Sequence, residues 1–251
     1  MLQVRQDGAV LRLTLDRPDV RNALDDRLIA ALADAVEAAP ATTRVIVLKG
    51  EGKAFCAGGD LEWMRRAAAY TREQNIADAL ALARLFRGLV ETPAVVVAQV
   101  HGAAFGGGAG LACCADVCVA AQGTLFAFSE AKLGLVPATI SPYVVAKIGA
   151  GHSRALFTTA EVFDTDRAQR IGMVHQAVEL DVLEAKVEEV VANVLRCGPQ
   201  AVAACKRLSQ AGPLSAEAAA TLLADARASE EGKEGVAAFL EKRTASFVES
   251  R

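Results

Sequence analysis

Two segments of this chain each couple an apolar run to a glycine-bearing loop, and together they restrict the fold more than any other feature. Val45-Ile46-Val47-Leu48 leads into Ala54-Phe55-Cys56-Ala57-Gly58-Gly59-Asp60-Leu61. Val95-Val96-Val97-Ala98 leads into His101-Gly102-Ala103-Ala104-Phe105-Gly106-Gly107-Gly108-Ala109-Gly110-Leu111. Each run reads as a buried strand, and each loop opens onto a helix-like segment. Glycine at such a turn lets the backbone approach a ligand and aim its N–H groups, and a helix start adds the positive end of a dipole. Two such loops side by side can hold one oxygen between two amides. That arrangement is an oxyanion hole, and it suits an enolate better than a chain of phosphates.

The remaining elements are placed by periodicity and caps. Leu2 and Val4, a turn at Asp7-Gly8, and then Val10, Leu11, Leu13 and Leu15 predict an N-terminal hairpin. A helix is expected over about residues 25–39, with Leu28, Leu32 and Val36 at helical spacing. Thr71-Arg72-Glu73-Gln74 reads as a capping box that opens a long helix to Val90. A short helix should follow the second glycine loop through Cys114, with strands at 117–120 and 125–128 before a turn that holds Glu130. From Thr139 the pattern is helical almost throughout, broken at 173–178. Strand–helix alternation followed by helices predicts an α/β core over residues 1–180 and a helical region over 181–251. The helices after Leu180 are Ala-rich with modest apolar stripes, as in helices that pack on other subunits.

Composition closes several other routes. The 251 residues are 53% hydrophobic and 23% charged, the balance of a folded globular protein. A net charge of −3 gives no reason to expect nucleic acid or an anionic membrane as a partner. Residues 92–115 carry no Asp, Glu, Lys or Arg and imitate a membrane span, but Pro93, Gln99, His101 and the glycines favour a buried strand, loop and helix. Met1 runs straight into an alternating pattern, so no signal peptide and a cytoplasmic location are expected. Cys56, Cys113, Cys114, Cys118, Cys197 and Cys205 are then read as small buried hydrophobes in a reducing compartment. Cys113, Cys114 and Cys118 lack a partner cluster, and His101, His152 and His175 share no ligand spacing, so no metal is expected.

Two further motifs fail on inspection. Gly106 and Gly108 fit the first positions of a dinucleotide-binding loop, but Leu111 stands where its third glycine belongs. Gly151-His152-Ser153-Arg154-Ala155 approximates a nucleophile elbow, but Ala155 ends it and no strand precedes it, so Ser153 is read as a helix-start residue.

Both glycine loops, together with Phe128-Ser129-Glu130-Ala131-Lys132-Leu133-Gly134-Leu135-Val136-Pro137, resemble the crotonase family of enoyl-CoA hydratases and isomerases. The resemblance runs nearly end to end, from Asp16-Arg17-Pro18 and Arg21-Asn22-Ala23-Leu24 to Phe239-Leu240-Glu241-Lys242-Arg243. It implies a crotonase fold of repeated ββα units with a C-terminal trimerisation region, and an acyl-CoA thioester as substrate with no separate cofactor. By the same resemblance the oxyanion amides are those of Gly59 and Gly107, and the catalytic carboxylate is Glu130. Asn22, Ala23, Leu24 and Ala57 match CoA-contacting positions. Phe239 and Lys242 match positions that reach a neighbour's CoA in family trimers or dimers of trimers. Trp63, Met64 and Tyr143 are candidates for the acyl pocket, while Asp60 is read as a helix cap.

Many family hydratases carry a second glutamate in the helix after the second loop; here Gly110 stands there. A single carboxylate serves an isomerase, and it also serves a hydratase in which one group acts at both ends of a syn addition. The run from Leu133 to Val145 resembles hydratases of branched glutaconyl-CoA substrates, which favours hydration of a 2-enoyl-CoA. The rival readings are a Δ3,Δ2-enoyl-CoA isomerase using Glu130 alone, and a non-catalytic acyl-CoA-binding or RNA-associated member. Glutamate restored at Gly110 is expected to help hydration only if space exists for it.

Overall fold

Unbroken apolar runs along the central strands dictate that both faces of a sheet be covered. In the computed structural model, which describes residues 1–249, the sheet has six strands. They are β1 (Leu2–Asp7), β2 (Val10–Leu15), β3 (Val45–Gly50), β4 (Val95–Val100), β6 (Val117–Ala121) and β9 (Gln176–Val178), in that spatial order. Only β1 and β2 are antiparallel; β2 through β9 pair in parallel, with Ile46 opposite Val96 and Ala98 opposite Cys118. Ile46, Leu48, Val96, Ala98, Val100 and Ala120 point into the larger core, under α1 (Asp26–Glu37), α3 (Arg72–Glu91) and α4 (Gly107–Cys114). Val45, Val47, Val95, Val97, Val119 and Ala121 point to the opposite face. There they meet Leu183, Val187, Val190, Val191 and Leu195 of α7 (Leu183–Leu195). A period of two distributes one apolar run between two cores.

A second sheet explains the loops. β5 (Ala103–Phe105), β7 (Leu125–Ala127) and β8 (Val162–Asp164) form it, β5 parallel to β7 and β7 antiparallel to β8. The chain therefore runs β4 in the large sheet, β5 in the small sheet, then α4; it repeats as β6, β7, then a one-turn 3-10 helix at Glu130–Leu133 and α5 (Ser141–Thr159). An earlier, abbreviated copy runs from β3 through a bridge between Cys56 and Ala104 into α2 (Leu61–Ala67). This is the ββα repetition of the crotonase fold. Each glycine loop lies where the chain leaves the small sheet for a helix.

Several expectations are corrected. The hairpin and the Thr71 capping box form as read, with Gln74 N–H donating to Thr71 Oγ1 at 3.2 Å. Residues 103–105 and 162–164, read as loop and helix, are strands. Three residues are too few to show a period, and pairing across the small sheet and the stacked rings of Phe126 and Phe163 fix them instead. Ser153 lies inside α5, which kinks at Gly149 (φ 76°); its hydroxyl donates to the Gly149 carbonyl at 2.8 Å. Cys197 and Cys205 are exposed, whereas the other four cysteines are buried, and all six are free.

Beyond α7 lie α8 (Pro199–Gln210), α9 (Ala216–Ala228) and α10 (Glu230–Leu240); β8 is followed by α6 (Thr165–Arg170). Because α7 closes a core, packing is continuous across residue 180. α8 is tied to the sheet by buried Lys206, whose Nζ meets Asp116 at 2.7 Å and donates to the Ala94 carbonyl at 2.9 Å. Among the described residues, no helix is long and apolar enough to cross a membrane.

Candidate active site

The geometry of the two loops follows from the planarity of the peptide bond. In a trans peptide the C=O of one residue and the N–H of the next point in opposite directions. The Gly58 carbonyl accepts from Leu24 N–H at 2.7 Å, so the Gly59 N–H on the same plane is aimed away from Leu24 N–H. Asp60 N–H donates to the Leu24 carbonyl at 2.8 Å and pins the next plane. In the second loop the Gly106 carbonyl accepts from Gly110 N–H at 2.9 Å, so the Gly107 N–H points outward from the start of α4. Among the described residues neither the Gly59 nor the Gly107 amide has an acceptor.

The loops are held against each other by backbone hydrogen bonds. Phe105 N–H donates to the Cys56 carbonyl at 3.0 Å, and Cys56 N–H to the Ala103 carbonyl at 3.1 Å. Gly58 and Gly106 have φ of 98° and 49°, which L side chains rarely adopt, and a Cβ on Gly58 would stand 3.1 Å from the Phe105 carbonyl oxygen. A Cβ on Gly108 would strike the Cys56 carbonyl oxygen, and one on Gly107 would meet Leu24 Cδ1 at 2.8 Å. Leu24 thus supports both loops, the first by its backbone and the second by its side chain.

Glu130 faces this pair. It opens the 3-10 turn that follows β7, and its Oε1 lies 3.2 Å from the point where a Cβ on Gly106 would stand. The side chain is half-buried, and Oε2 is enclosed with no hydrogen-bond partner among the described residues. Burial pushes the Glu130 carboxyl above the usual carboxylate range. A carboxyl so placed can take and return a proton. Burial likewise pushes the Cys56 thiol up to about 12, which leaves it a packing group with no thiolate at neutral pH.

The other sequence candidates divide. Trp63 and Met64 flank Gly59: a Cβ there would lie 3.4 Å from Met64 Sδ and 3.6 Å from Trp63 Cζ3, and Trp63 Nε1 donates to Asp78 at 3.1 Å. Tyr143 is not with them. Its ring packs 6.1 Å from that of Phe86, and it lines a separate cavity of about 890 Å³ with Cys113, Cys114 and Lys206, beyond the far end of α4. Asn22 is fully buried and structural: Oδ1 accepts from Arg17 N–H, and Nδ2 donates to the carbonyls of Glu51 and Ala54, each at 2.8 Å. Ala23 and Leu24 are buried, whereas the Asn22 and Ala57 carbonyls accept no hydrogen bond among the described residues. Phe239, at the end of α10, is 81% exposed, and Lys242 lies exposed just past it. Asp60 is the cap it was read as, accepting from Glu62 and Trp63 N–H, and it also meets Arg17 at 2.9 Å. Among the described residues no three His, Cys, Asp or Glu side chains group as a metal ion would require.

Gly110 has no room for a side chain. A Cβ there would stand 2.5 Å from Ile140 Cγ2 and 3.3 Å from Phe86 Cε1. The position of the first side-chain carbon is filled by apolar atoms, so Gly110→Glu cannot be seated without moving Ile140.

Two stability measurements follow. Glu130 ionises less readily folded than unfolded, so it subtracts stability as pH rises through the unfolded carboxylate pKa of about 4.3. Glu130→Gln should therefore have a higher Tm than the parent at pH 7, the gap closing below pH about 4; an equal or lower Tm at pH 7 contradicts the electrostatics. Gly110→Ala should cost about 1–3 kcal/mol by overpacking. In an Ile140→Ala background, urea denaturation should show a smaller cost, and an unchanged cost would mean that Ile140 does not fill the notch.

The family model for enoyl-CoA hydratase/isomerase matches residues 5–250. An enoyl-CoA hydratase of Shewanella pealeana superimposes with a TM-score of 0.92 at 38% identity, over 98% of this chain and 95% of that one. AtuE of Pseudomonas aeruginosa superimposes at 0.93 with 38% identity, over 99% of each chain. A crotonyl-CoA hydratase of Syntrophomonas wolfei is 33% identical over 94% of this chain and 93% of its own length. Paired glycine loops, the ββα repetition and these matches along almost the whole chain lead to one assignment: the chain belongs to the enoyl-CoA hydratase/isomerase, or crotonase, family.

Proposed function

We propose that the protein adds water across the double bond of a 2-enoyl-CoA thioester, through an enolate held by the Gly59 and Gly107 amides. The observation that carries this reading is that two amides without an acceptor among the described residues belong to loops against which Glu130 sits. Its Oε1 lies beside Gly106, and its Oε2 is enclosed without a partner among those residues. A thioester oxygen between the amides gains hydrogen bonds that strengthen as charge develops on it. Glu130 takes a proton from water as the water oxygen attacks Cβ, and returns that proton to Cα of the enolate. The scheme needs neither a metal ion nor a redox cofactor, because CoA arrives with the substrate. The Asn22 and Ala57 carbonyls are free to accept from CoA beside Ala23 and Leu24, and Trp63 and Met64 border the acyl group. The Leu133–Val145 stretch supports a branched or glutaconyl-type acyl chain.

Isomerisation is the second reading, favoured by the filled notch at Gly110, which leaves Glu130 without a second carboxylate from α4, while Asp60 is committed to its helix cap and to Arg17. Incubation of 2-enoyl-CoA and 3-enoyl-CoA, straight and branched, in heavy-oxygen water separates the two. Isotope in a 3-hydroxyacyl product, with kcat lowered about 10²–10⁴-fold in Glu130→Gln, is the expected result. Double-bond migration without isotope uptake gives the reaction to the isomerase, and unchanged turnover in the variant removes Glu130 from either scheme.

Assembly into a homotrimer or a dimer of trimers is proposed on the apolar side chains that α9 and α10 expose: Leu222, Leu223, Val236, Phe239 and Leu240. In such an assembly Phe239 and Lys242 would reach a neighbour's CoA. Sedimentation should give three or six copies, and a monomer at working concentration contradicts the proposal.

A further inference from the structure

The strongest unassigned feature is a side chain that touches neither glycine loop's amide yet is bonded to what holds one of them. Arg17 is largely buried, with its side chain 20% exposed. One guanidinium nitrogen donates to the Ala23 carbonyl at 2.6 Å. The other donates to Asp60 Oδ2 at 2.9 Å and lies 3.3 Å from Asp25 Oδ2. Both carboxylates are helix caps: Asp25 accepts from Leu28 N–H at the start of α1, and Asp60 from Glu62 and Trp63 N–H at the start of α2. One planar cation therefore joins the starts of two helices and the strand-like segment between them.

That segment orients the first amide. Gly59 lies between Gly58, whose carbonyl is held by Leu24 N–H, and Asp60, whose N–H is held by the Leu24 carbonyl. Arg17 grips Ala23 on one side of this bridge and Asp60 on the other, so the bridge cannot slide or rotate without breaking a charge-assisted bond. We propose that Arg17 is a positioning residue of the oxyanion hole, setting the aim of the Gly59 amide through Ala23 and Asp60. Burial by itself would raise the Asp60 carboxyl, but the Trp63 amide, Arg17 and the Glu62 amide outweigh it and hold the group below the usual carboxylate range, so the clamp stays charged at neutral pH. Lysine replaces it only in part: an ammonium keeps the charge but lacks the planar fork that reaches a carbonyl and two carboxylates at once.

The inference rests on the oxyanion reading of Gly59 and Gly107, and one experiment tests the two separately. Crotonyl-CoA labelled at the thioester carbonyl is bound to the parent enzyme and to Arg17→Met, Arg17→Lys and Asp60→Asn, and the carbonyl stretch is read by infrared difference spectroscopy. The parent should shift the stretch to lower frequency; no shift would end the oxyanion reading and the inference with it. Given a shift in the parent, Arg17→Met and Asp60→Asn should each lose part of it, with Arg17→Lys intermediate. In the same variants kcat should fall about 10–10²-fold, less than the loss of a whole donor, with KM within about twofold. A full parental shift in Arg17→Met or Asp60→Asn would overturn the inference even if Tm fell, since lost stability alone does not depolarise a bound carbonyl. Should Arg17→Met not fold, Asp60→Asn, which keeps a capping oxygen while removing the charge, decides the matter alone.

Discussion

Two peptide planes, each with its carbonyl already committed, are what the rest of the structure is arranged to hold. A backbone N–H can be aimed only by aiming its whole peptide unit, and the opposite end of that unit must then be satisfied. In the first loop the satisfying donor is Leu24 N–H, and in the second it is the first full turn of α4. The amides left over are the donors with nothing to donate to. Glycine follows from this geometry. Gly58 and Gly106 hold positive φ, and their neighbours approach so closely that a methyl group at Gly107 or Gly108 would collide with Leu24 or Cys56.

Holding unsatisfied groups is unfavourable, and the two packed faces of the sheet supply what offsets it. The parallel strands are covered on one side by α1, α3 and α4 and on the other by α7, so the sheet that carries the loops has little freedom to relax around them. Glu130 repeats the pattern in a side chain. Its Oε2 is buried without a partner, a state costing about 1–3 kcal/mol for a polar group, and the raised proton affinity is the electrostatic form of the same cost. At the loops an enclosed carboxylate oxygen stands without a partner among the described residues, whereas the comparably buried Lys206 and Asn22 are bonded to the chain around them. A carboxyl raised by burial beside two such loops is a signature of a binding site.

Legibility in the sequence tracked the range of the interaction involved. The central strands, the glycine loops, the hairpin and the Thr71 box depend on residues close in sequence, and the pattern exposes them. β5 and β8 do not, because three-residue strands exist only through partners elsewhere in the chain. Tyr143 followed its neighbours in sequence into the candidate pocket, but α5 carries it to the far end of α4, against Phe86. Arg17 was visible within its motif while its partner Asp60, 43 residues away, was not visible as a partner. Gly110 could be read as a missing carboxylate; that Ile140 fills its space required coordinates.

That last point changes what the missing glutamate means. A glycine on a helix with open space beside it leaves room for water to take over the role of a lost side chain. Here Ile140 and Phe86 crowd the point where a side chain would leave Gly110. The loops then face the Glu130 carboxyl and an apolar wall at Gly110, and the choice between hydration and double-bond migration cannot turn on a second base from α4. It turns on whether a water can lie within reach of Glu130 when the acyl group is seated. A water needs two to four polar partners to be held, and Glu130 with backbone groups must provide them. Bulk and polarity in the acyl chain therefore become part of the chemistry. A substrate that leaves space over Cβ, or brings its own polar group to hold a water there, would be hydrated. One that fills that space would leave the Glu130 proton no destination other than carbon.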